Sequence, residues 1–301
     1  MNASLGKIGF IGIGAMGTPM AGNLAKAGYP LVIYDADPKR ALALAAAHEV
    51  EIAENLVALG AACEIVITML PDGAIVRKVL CGDNDSFRDC VGAGLKTESL
   101  VVDMSSSAPL GTRELGALLA KRGVNLIDAP VSNGVRGAVA ATLAIMVGGD
   151  KGIFDRCRPL FEKLGNQIFH AGPLGAGHAI KALNNYVSAA GLVAACEAVI
   201  VGRRFGLEPS VIVDILNASS GMNNTTKNKV KQYMISGAFN AGFSTGLMAK
   251  DVRTALEVAE ALHGPTRMAR HTAAIWDDME QQLGPASDHT AMFRYLDAPE
   301  R

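Results

Sequence analysis

A short apolar run, Lys7–Ile11 (KIGFI), feeds directly into Gly12-Ile13-Gly14-Ala15-Met16-Gly17, and this junction restricts the fold more than any other stretch of the chain. The following PMAGNLAKAG has helical spacing and closes on Gly28, a residue that ends helices by accepting a left-handed backbone. Leu31–Asp35 (LVIYD) is β-branched and aromatic and predicts a second strand that finishes on an acid. Strand, glycine turn, helix and strand in that order make a βαβ unit of the dinucleotide-binding kind. Gly12 allows the tight turn, Gly14 lets the backbone approach a pyrophosphate, and Gly17 lets the helix pack closely on the strand. The helix N-terminus turns amides and a positive dipole end towards the phosphates. Asp35 is placed to accept from a ribose hydroxyl. A bare glycine pattern has a plainer reading, a turn kept for packing; the strand context and Asp35 favour nucleotide binding.

The alternation continues. Asp37-Pro38 starts a helix through about Ala47, Glu64–Leu70 (EIVITML) predicts a buried strand, and LVVDMS predicts another ending at Ser105-Ser106-Ser107. A helix from about Pro109 to Arg122 precedes the strand Asn125–Pro130, and a helix near Lys151–Leu164 precedes a last strand, Asn166–Gly172. Ligands of open α/β sheets sit beyond the carboxyl ends of the strands. Leu70-Pro71-Asp72, Ser105–Ser107 and Val131-Ser132-Asn133-Gly134 all fall there. Each alone reads as an ordinary turn; their recurrence at successive strand ends argues for a site. Beyond Gly175 the pattern is helical throughout, and a switch from alternating βα to all-helix marks a domain boundary. The expected division is residues 1–166 and 167–301.

The helical part opens with GAGHAIKALNN, Gly175–Asn185, and runs on to about Arg204. From Gly177 to Gly202 the only formal charges are Lys181 and Glu197. A helix apolar nearly all round belongs inside a protein, so Lys181 is expected in a poorly solvated place. Asn184 and Asn185 follow it by three and four residues, on the same helical face. The bland alternative is a lysine that snorkels to solvent near the helix start. His178 is the only one of six histidines near this cluster, and no role is assigned to it.

Composition narrows the class. Half of the 301 residues are hydrophobic and the formal net charge is −1 without basic runs, which argues against disorder and against nucleic-acid or anionic-membrane partners. Five scattered cysteines without metal-ligand spacing suit free thiols in a reducing compartment, and no metal site is expected. The first strand begins by Lys7, so no secretory signal is predicted, and the apolar run Tyr186–Gly202 is too short and interrupted for a membrane span. The expectation is a cytoplasmic protein.

Four motifs, in order, resemble those of the β-hydroxyacid dehydrogenases, the family of 3-hydroxyisobutyrate dehydrogenase and tartronate semialdehyde reductase. They are GFIGIGAMGTPMAGNL, DAPVSNGVRGA, GAGHAIKALNN and GFSTGLMAKD, and together they span essentially the whole chain. The resemblance implies an α/β protein, a Rossmann-like N-terminal domain followed by an all-helical C-terminal domain joined by a long interdomain helix. The active site would lie in the cleft between them and the assembly would be a homodimer or homotetramer. It implies Lys181 as the catalytic residue and a small carboxylate substrate held by Ser132 and Gly134, with Asn185 assisting; Asn133 in the same loop and Asn184 on the same helical face join them as substrate-binding candidates. Besides the glycine turn, Leu70, Pro71 and Ser106 would touch the cofactor, NAD or alternatively NADP, and Lys250 would approach both ligands. One departure stands out: the family usually has glycine where this chain has Asn133, which puts the particular substrate in doubt.

Chemistry and resemblance meet at Lys181. A lysine desolvated beside a cationic nicotinamide would exchange protons near neutral pH, taking the hydroxyl proton in oxidation and returning it in reduction. The reading is therefore an NAD(P)-dependent oxidoreductase of small β-hydroxy acids. Its alternatives are an NADPH-dependent glyoxylate or semialdehyde reductase of the same family, and a dinucleotide-binding sensor without turnover. An imine reductase fits less well, since those relatives generally lack the lysine.

Overall fold

The buried apolar runs become neighbouring strands of one sheet in the computed structural model, which describes residues 6–298. The first elements are β1 (Ile8–Ile11), α1 (Gly17–Lys26), β2 (Leu31–Tyr34), α2 (Pro38–Ala47), β3 (Glu51–Ile52), α3 (Leu56–Ala62) and β4 (Ile65–Thr68). There follow α4 (Gly73–Cys81), α5 (Val91–Gly94), β5 (Leu100–Asp103), α6 (Pro109–Ala120), β6 (Asn125–Asp128) and β7 (Val131–Ser132). Then come α7 (Gly134–Val139), β8 (Leu143–Gly148), α8 (Lys151–Phe161) and β9 (Gly165–Gly172). The strand order is β3-β2-β1-β4-β5-β6-β8-β7, with β9 on β8. β3 through β6 pair in parallel, whereas β8 runs antiparallel to β6 and β7.

β1, β4 and β5 are buried at every position, which is why they are continuous apolar runs and not alternating ones. Two apolar clusters cover the two faces of the sheet. One joins Phe10, Met20, Ile33 and Val102 to Phe154 and Phe161; the other joins Val66 and Val101 to Leu59, Val76 and Leu119. Helix starts are set locally. Asp37 accepts from Lys39 N ahead of Pro38, and Asp72 accepts from Ile75 N, so the Pro71-Asp72-Gly73 break is also the cap of α4.

Two compact units are present, Met1–Lys181 and Ala182–Arg301. β9 pairs with β8 from Gly165 to Gly172, so the sheet continues past residue 166. The division falls inside α9 (Ala176–Arg204), a single 29-residue helix. The second unit continues with α10 (Pro209–Asn217), α11 (Asn224–Asn228) leading into a π-helical turn at Val230–Ile235, α12 (Thr245–Ala261), α13 (Arg267–Leu283) and α14 (Met292–Asp297). Its core gathers Leu192, Cys196, Val199, Met248, Val252 and Met279 around the fully buried Trp276.

α9 differs from the expectation of burial all round. Its length and hydropathy would suffice to cross a membrane, yet only 44% of that apolar window is buried. One side packs into the core, while Val187 (66%) and Val201 (65%) stay exposed, as does Phe205 (83%) just beyond the helix. The apolar stripe through Val187 and Val201 stays uncovered among the described residues.

Candidate active site

The glycine turn is built by close approach. Gly12 has φ +99°, a left-handed backbone suited to glycine, and a Cβ at Gly17 would fall 1.8 Å from Gly12 O. Strand and helix therefore come nearer than any side chain permits. At Gly14 the space is open: a Cβ would meet only the Arg40 guanidinium, at 3.7 Å. Ala15 is exposed beside it and Met16 precedes the first residue of α1. Asp35 clasps the turn, accepting from Ile13 N at 2.6 Å and from Asp37 N at 2.8 Å, with Arg40 Nη1 4.0 Å from its Oδ1. A glycine backbone left open, at a helix N-terminus, next to a strand-end carboxylate fits the diphosphate and ribose of a dinucleotide.

The neighbouring strand ends are tied together from below. Asp103, at the end of β5, accepts from Thr68 Oγ1 (2.9 Å), Ser105 N (3.0 Å) and Ser107 Oγ (2.8 Å). Ser105 Oγ in turn accepts from Leu70 N at 2.9 Å. Ser105 and Ser107 are thus turned inward and buried, and Ser106 is the member of the triplet left partly exposed. Leu70, Pro71 and Ser106 sit on loops held by one buried carboxylate.

Lys181 is half-buried, and its Nζ donates to Ser132 Oγ at 3.1 Å. The start of α9 is held from β6: Asp128 accepts from Gly175 N and from His178 N, each at 2.7 Å. Gly177 presses on β8, where a Cβ would lie 2.2 Å from Met146 O. Asn133 adopts φ +85°, is exposed, and donates its amide to Thr142 O at 3.0 Å. Its side chain serves the loop that glycine would otherwise form. Gly134 follows with open space at its Cβ position.

In the second unit Asn185 is buried and donates to Asp251 Oδ2 at 2.6 Å; Lys250 Nζ lies 3.2 Å from Asp251 Oδ1. The more exposed Asn184 donates to Asn185 Oδ1 at 3.1 Å. Asp251, 4% exposed, therefore sits between an amide and an ammonium.

The structure thus joins Lys181 to Ser132 and gathers Asn184, Asn185 and Lys250 around Asp251. Sequence reasoning passed over Asp128, His178 and Asp251. The available signal was an acid closing each of two apolar strands, LVVD and NLID, since a carboxylate buried there demands donors from elsewhere. An amine held on a hydroxyl, beside a loop with open backbone, can exchange a proton with an oxygen of a small ligand.

The family model described as the NAD binding domain of 6-phosphogluconate dehydrogenase matches residues 7–172, and that described as NAD-binding of NADP-dependent 3-hydroxyisobutyrate dehydrogenase matches residues 175–296. The chain is 38% identical over 297 residues to the NAD-dependent L-serine dehydrogenase of Pseudomonas aeruginosa, covering 97% of this chain and 98% of that one. It is 35% identical over 271 residues to the 2-(hydroxymethyl)glutarate dehydrogenase of Eubacterium barkeri, covering 90% and 88%. Among solved structures, that of Mycobacterium tuberculosis 3-hydroxyisobutyrate dehydrogenase with L-serine matches at TM-score 0.88 and 33% identity, over 98% of this chain and all (100%) of that one.

Proposed function

We propose, from the premise that the chain belongs to the β-hydroxyacid dehydrogenase family, that Lys181 is the acid–base group of its reaction. The protein is an NAD(P)-dependent oxidoreductase acting on the hydroxyl group of small hydroxy acids. The bound nicotinamide supplies the hydride acceptor or donor. The observation that carries the assignment is the 3.1 Å contact of Lys181 Nζ with Ser132 Oγ, which puts the amine at the loop expected to hold the substrate carboxylate. The neutral amine takes the hydroxyl proton during oxidation; the ammonium returns it to the carbonyl oxygen during reduction. Ser132 and Gly134 hold the carboxylate, Asn185 and Lys250 orient the substrate, and Asn184 steadies Asn185. Gly12–Gly17, Asp35, Leu70, Pro71 and Ser106 hold the dinucleotide. In this reading the first unit carries the cofactor and the helical unit contributes substrate contacts and the subunit interface.

The three relatives are named for L-serine, 2-(hydroxymethyl)glutarate and 3-hydroxyisobutyrate. These acids share a primary alcohol on the carbon β to a carboxylate and differ in the group on the α-carbon. We take that shared unit as this enzyme's substrate class. The subunit is proposed to form a homodimer or homotetramer in the cytoplasm, without nucleic-acid or membrane partners. The exposed Val187, Val201 and Phe205 support association, and five buried free cysteines suit a reducing compartment.

The test is nicotinamide absorbance with the three acids, each with NAD and with NADP. Turnover of at least one is expected; cofactor binding without turnover of any member would leave a sensor as the better reading. Sedimentation analysis checks the assembly, and a monomer at micromolar concentration would refute the interface.

A further inference from the structure

β5 and β6 run side by side with Asp103 directly opposite Asp128, and both carboxylates are buried. The ring of His178 is inserted between them, 3.7 Å from Asp103 Oδ2 through Nε2 and 3.7 Å from Asp128 Oδ2 through Nδ1, with a side chain wholly shielded from solvent. Nε2 lies 3.2 Å from Ser105 O, and a carbonyl oxygen can only accept, so Nε2 carries a proton. Nδ1 lies 2.8 Å from Thr112 Oγ1. The backbone N–H of the same histidine donates to Asp128, as does that of Gly175. Gly177, between them, is jammed against β8. The first turn of α9 is therefore pinned at a ring, at two amides and at a packing contact.

Lys181 stands three residues after His178, on the same face of α9, and Ser132 stands four residues after Asp128. The short segment Asp128–Ser132 thus binds the helix twice, once at its start and once through the Lys181 amine. His178 adds a third tie, to Ser105, whose hydroxyl receives the amide of Leu70. Helix, substrate loop and cofactor loops share one buried frame.

We propose that His178, clamped by Asp128 and Thr112, is the positioning residue that sets where the Lys181 amine stands; this rests on Lys181 being the acid–base group. The His178 side chain offers no surface to a ligand, being wholly shielded, and so acts through the register of α9. Misplacing a reacting group by about 1 Å can cost about a hundredfold in rate, and removing the ring takes away one of the four ties that hold the first turn of α9, just ahead of the amine.

The experiment is a double-mutant cycle read by single-turnover nicotinamide absorbance at saturating ligands, with cofactor Kd measured separately. His178→Leu is expected to lower the rate about 10- to 100-fold while cofactor Kd stays within about threefold. His178→Gln keeps an amide donor for Ser105 O and is expected to restore most of the rate. In the Lys181→Ala background His178→Leu is expected to have no further effect, because residues acting as a unit are non-additive. Where His178→Leu does not fold, Thr112→Val, which removes only the hydroxyl at Nδ1, takes its place, with a loss of about three- to tenfold expected from the same positional argument. Full additive loss in the Lys181→Ala background, no rescue by glutamine, or a wild-type rate in Thr112→Val overturns the positioning role while the Lys181 assignment stands. An unchanged rate in Lys181→Ala alone overturns the acid–base assignment, and the positioning role with it.

Discussion

Asn185 donates its amide to the buried carboxylate of Asp251 at 2.6 Å. That bond settles the orientation of the amide: Nδ2 is turned inward, and Oδ1 accepts from Asn184. Asp251→Ala would leave a buried donor unsatisfied and remove one partner of Lys250. A loss of about 1–3 kcal/mol is expected in urea unfolding of the variant. Substrate KM is expected to rise more than cofactor KM, and unchanged stability would show that the pair contributes nothing.

Lys181→Ala is expected to lower kcat by about 100- to 10,000-fold, the range of general acid–base catalysis. Cofactor Kd is expected to change little, because the proposed reading has the glycine turn hold the dinucleotide. Fluorescence titration and steady-state kinetics separate the two effects. A variant retaining more than about a tenth of wild-type kcat, well short of that range, with hydride transfer rate-limiting, refutes the assignment.

Cofactor choice follows from Asp35. In the proposed reading its carboxylate would lie at the ribose and repel a 2′-phosphate, so higher kcat/KM with NAD than with NADP is expected. Arg40, 4.0 Å away, softens that repulsion. Asp35→Asn keeps an oxygen for Ile13 N and removes the charge, so the two kcat/KM values should converge. Asp35→Ala should narrow the gap too, at a further cost in affinity for both cofactors, since Ile13 N then loses its acceptor.

Asn133 shapes its loop through φ +85° and its bond to Thr142 O. Asn133→Gly tolerates that backbone, so the ratio of kcat/KM for 3-hydroxyisobutyrate and L-serine should move less than about threefold, well below the effect of an unpaired amide in a pocket. Asn133→Val forces a β-branched residue into the left-handed region and should cost about 1–3 kcal/mol by thermal denaturation. A tenfold change of ratio in the glycine variant would instead place the amide against the substrate.

Acid should weaken the second unit through Asp288. Burial pushes its carboxyl up, but hydrogen bonds from His289, from Thr290 and from Gly242 N outweigh it and hold the group well below the ordinary carboxylate range. A depressed pKa contributes stability that is complete above the unfolded value of about 3.9 and is lost as pH falls from there towards the folded value. Asp288→Asn should melt below wild type at pH 7, and the gap should shrink as pH is lowered from about 5 to 3 through that range. A gap constant with pH would assign it to packing.

Much of the fold was legible because its signals are local. Parallel strands covered on both faces become apolar runs, and caps such as Asp37-Pro38 announce helices. β3 escaped notice because its two residues are exposed and carry no apolar run. α3 and α4 went unnoticed as well, although Asn55 and Asp72 cap them. In the candidate site, the contact of Lys181 with Ser132 and the close packing of the glycine turn fall where motif and chemistry coincide. The partners that hold the site were not legible: Asp128 reaches a helix start 47 positions on, and His178 finds a carbonyl 73 positions back. Such pairings exist only once strands lie side by side, and no spacing along the chain encodes them.

The five residues from Asp128 to Ser132 have a consequence for insertions and deletions. One end caps α9 and the other receives its amine, so their separation is a measured length. An extended residue advances the chain by about 3.3 Å, far more than a hydrogen bond tolerates. Adding or removing one residue would leave one of the two bonds out of reach. Loop grafts meant to change the substrate should therefore be spliced after Ser132, where Gly134 has open space at its Cβ position and length can vary without moving the amine.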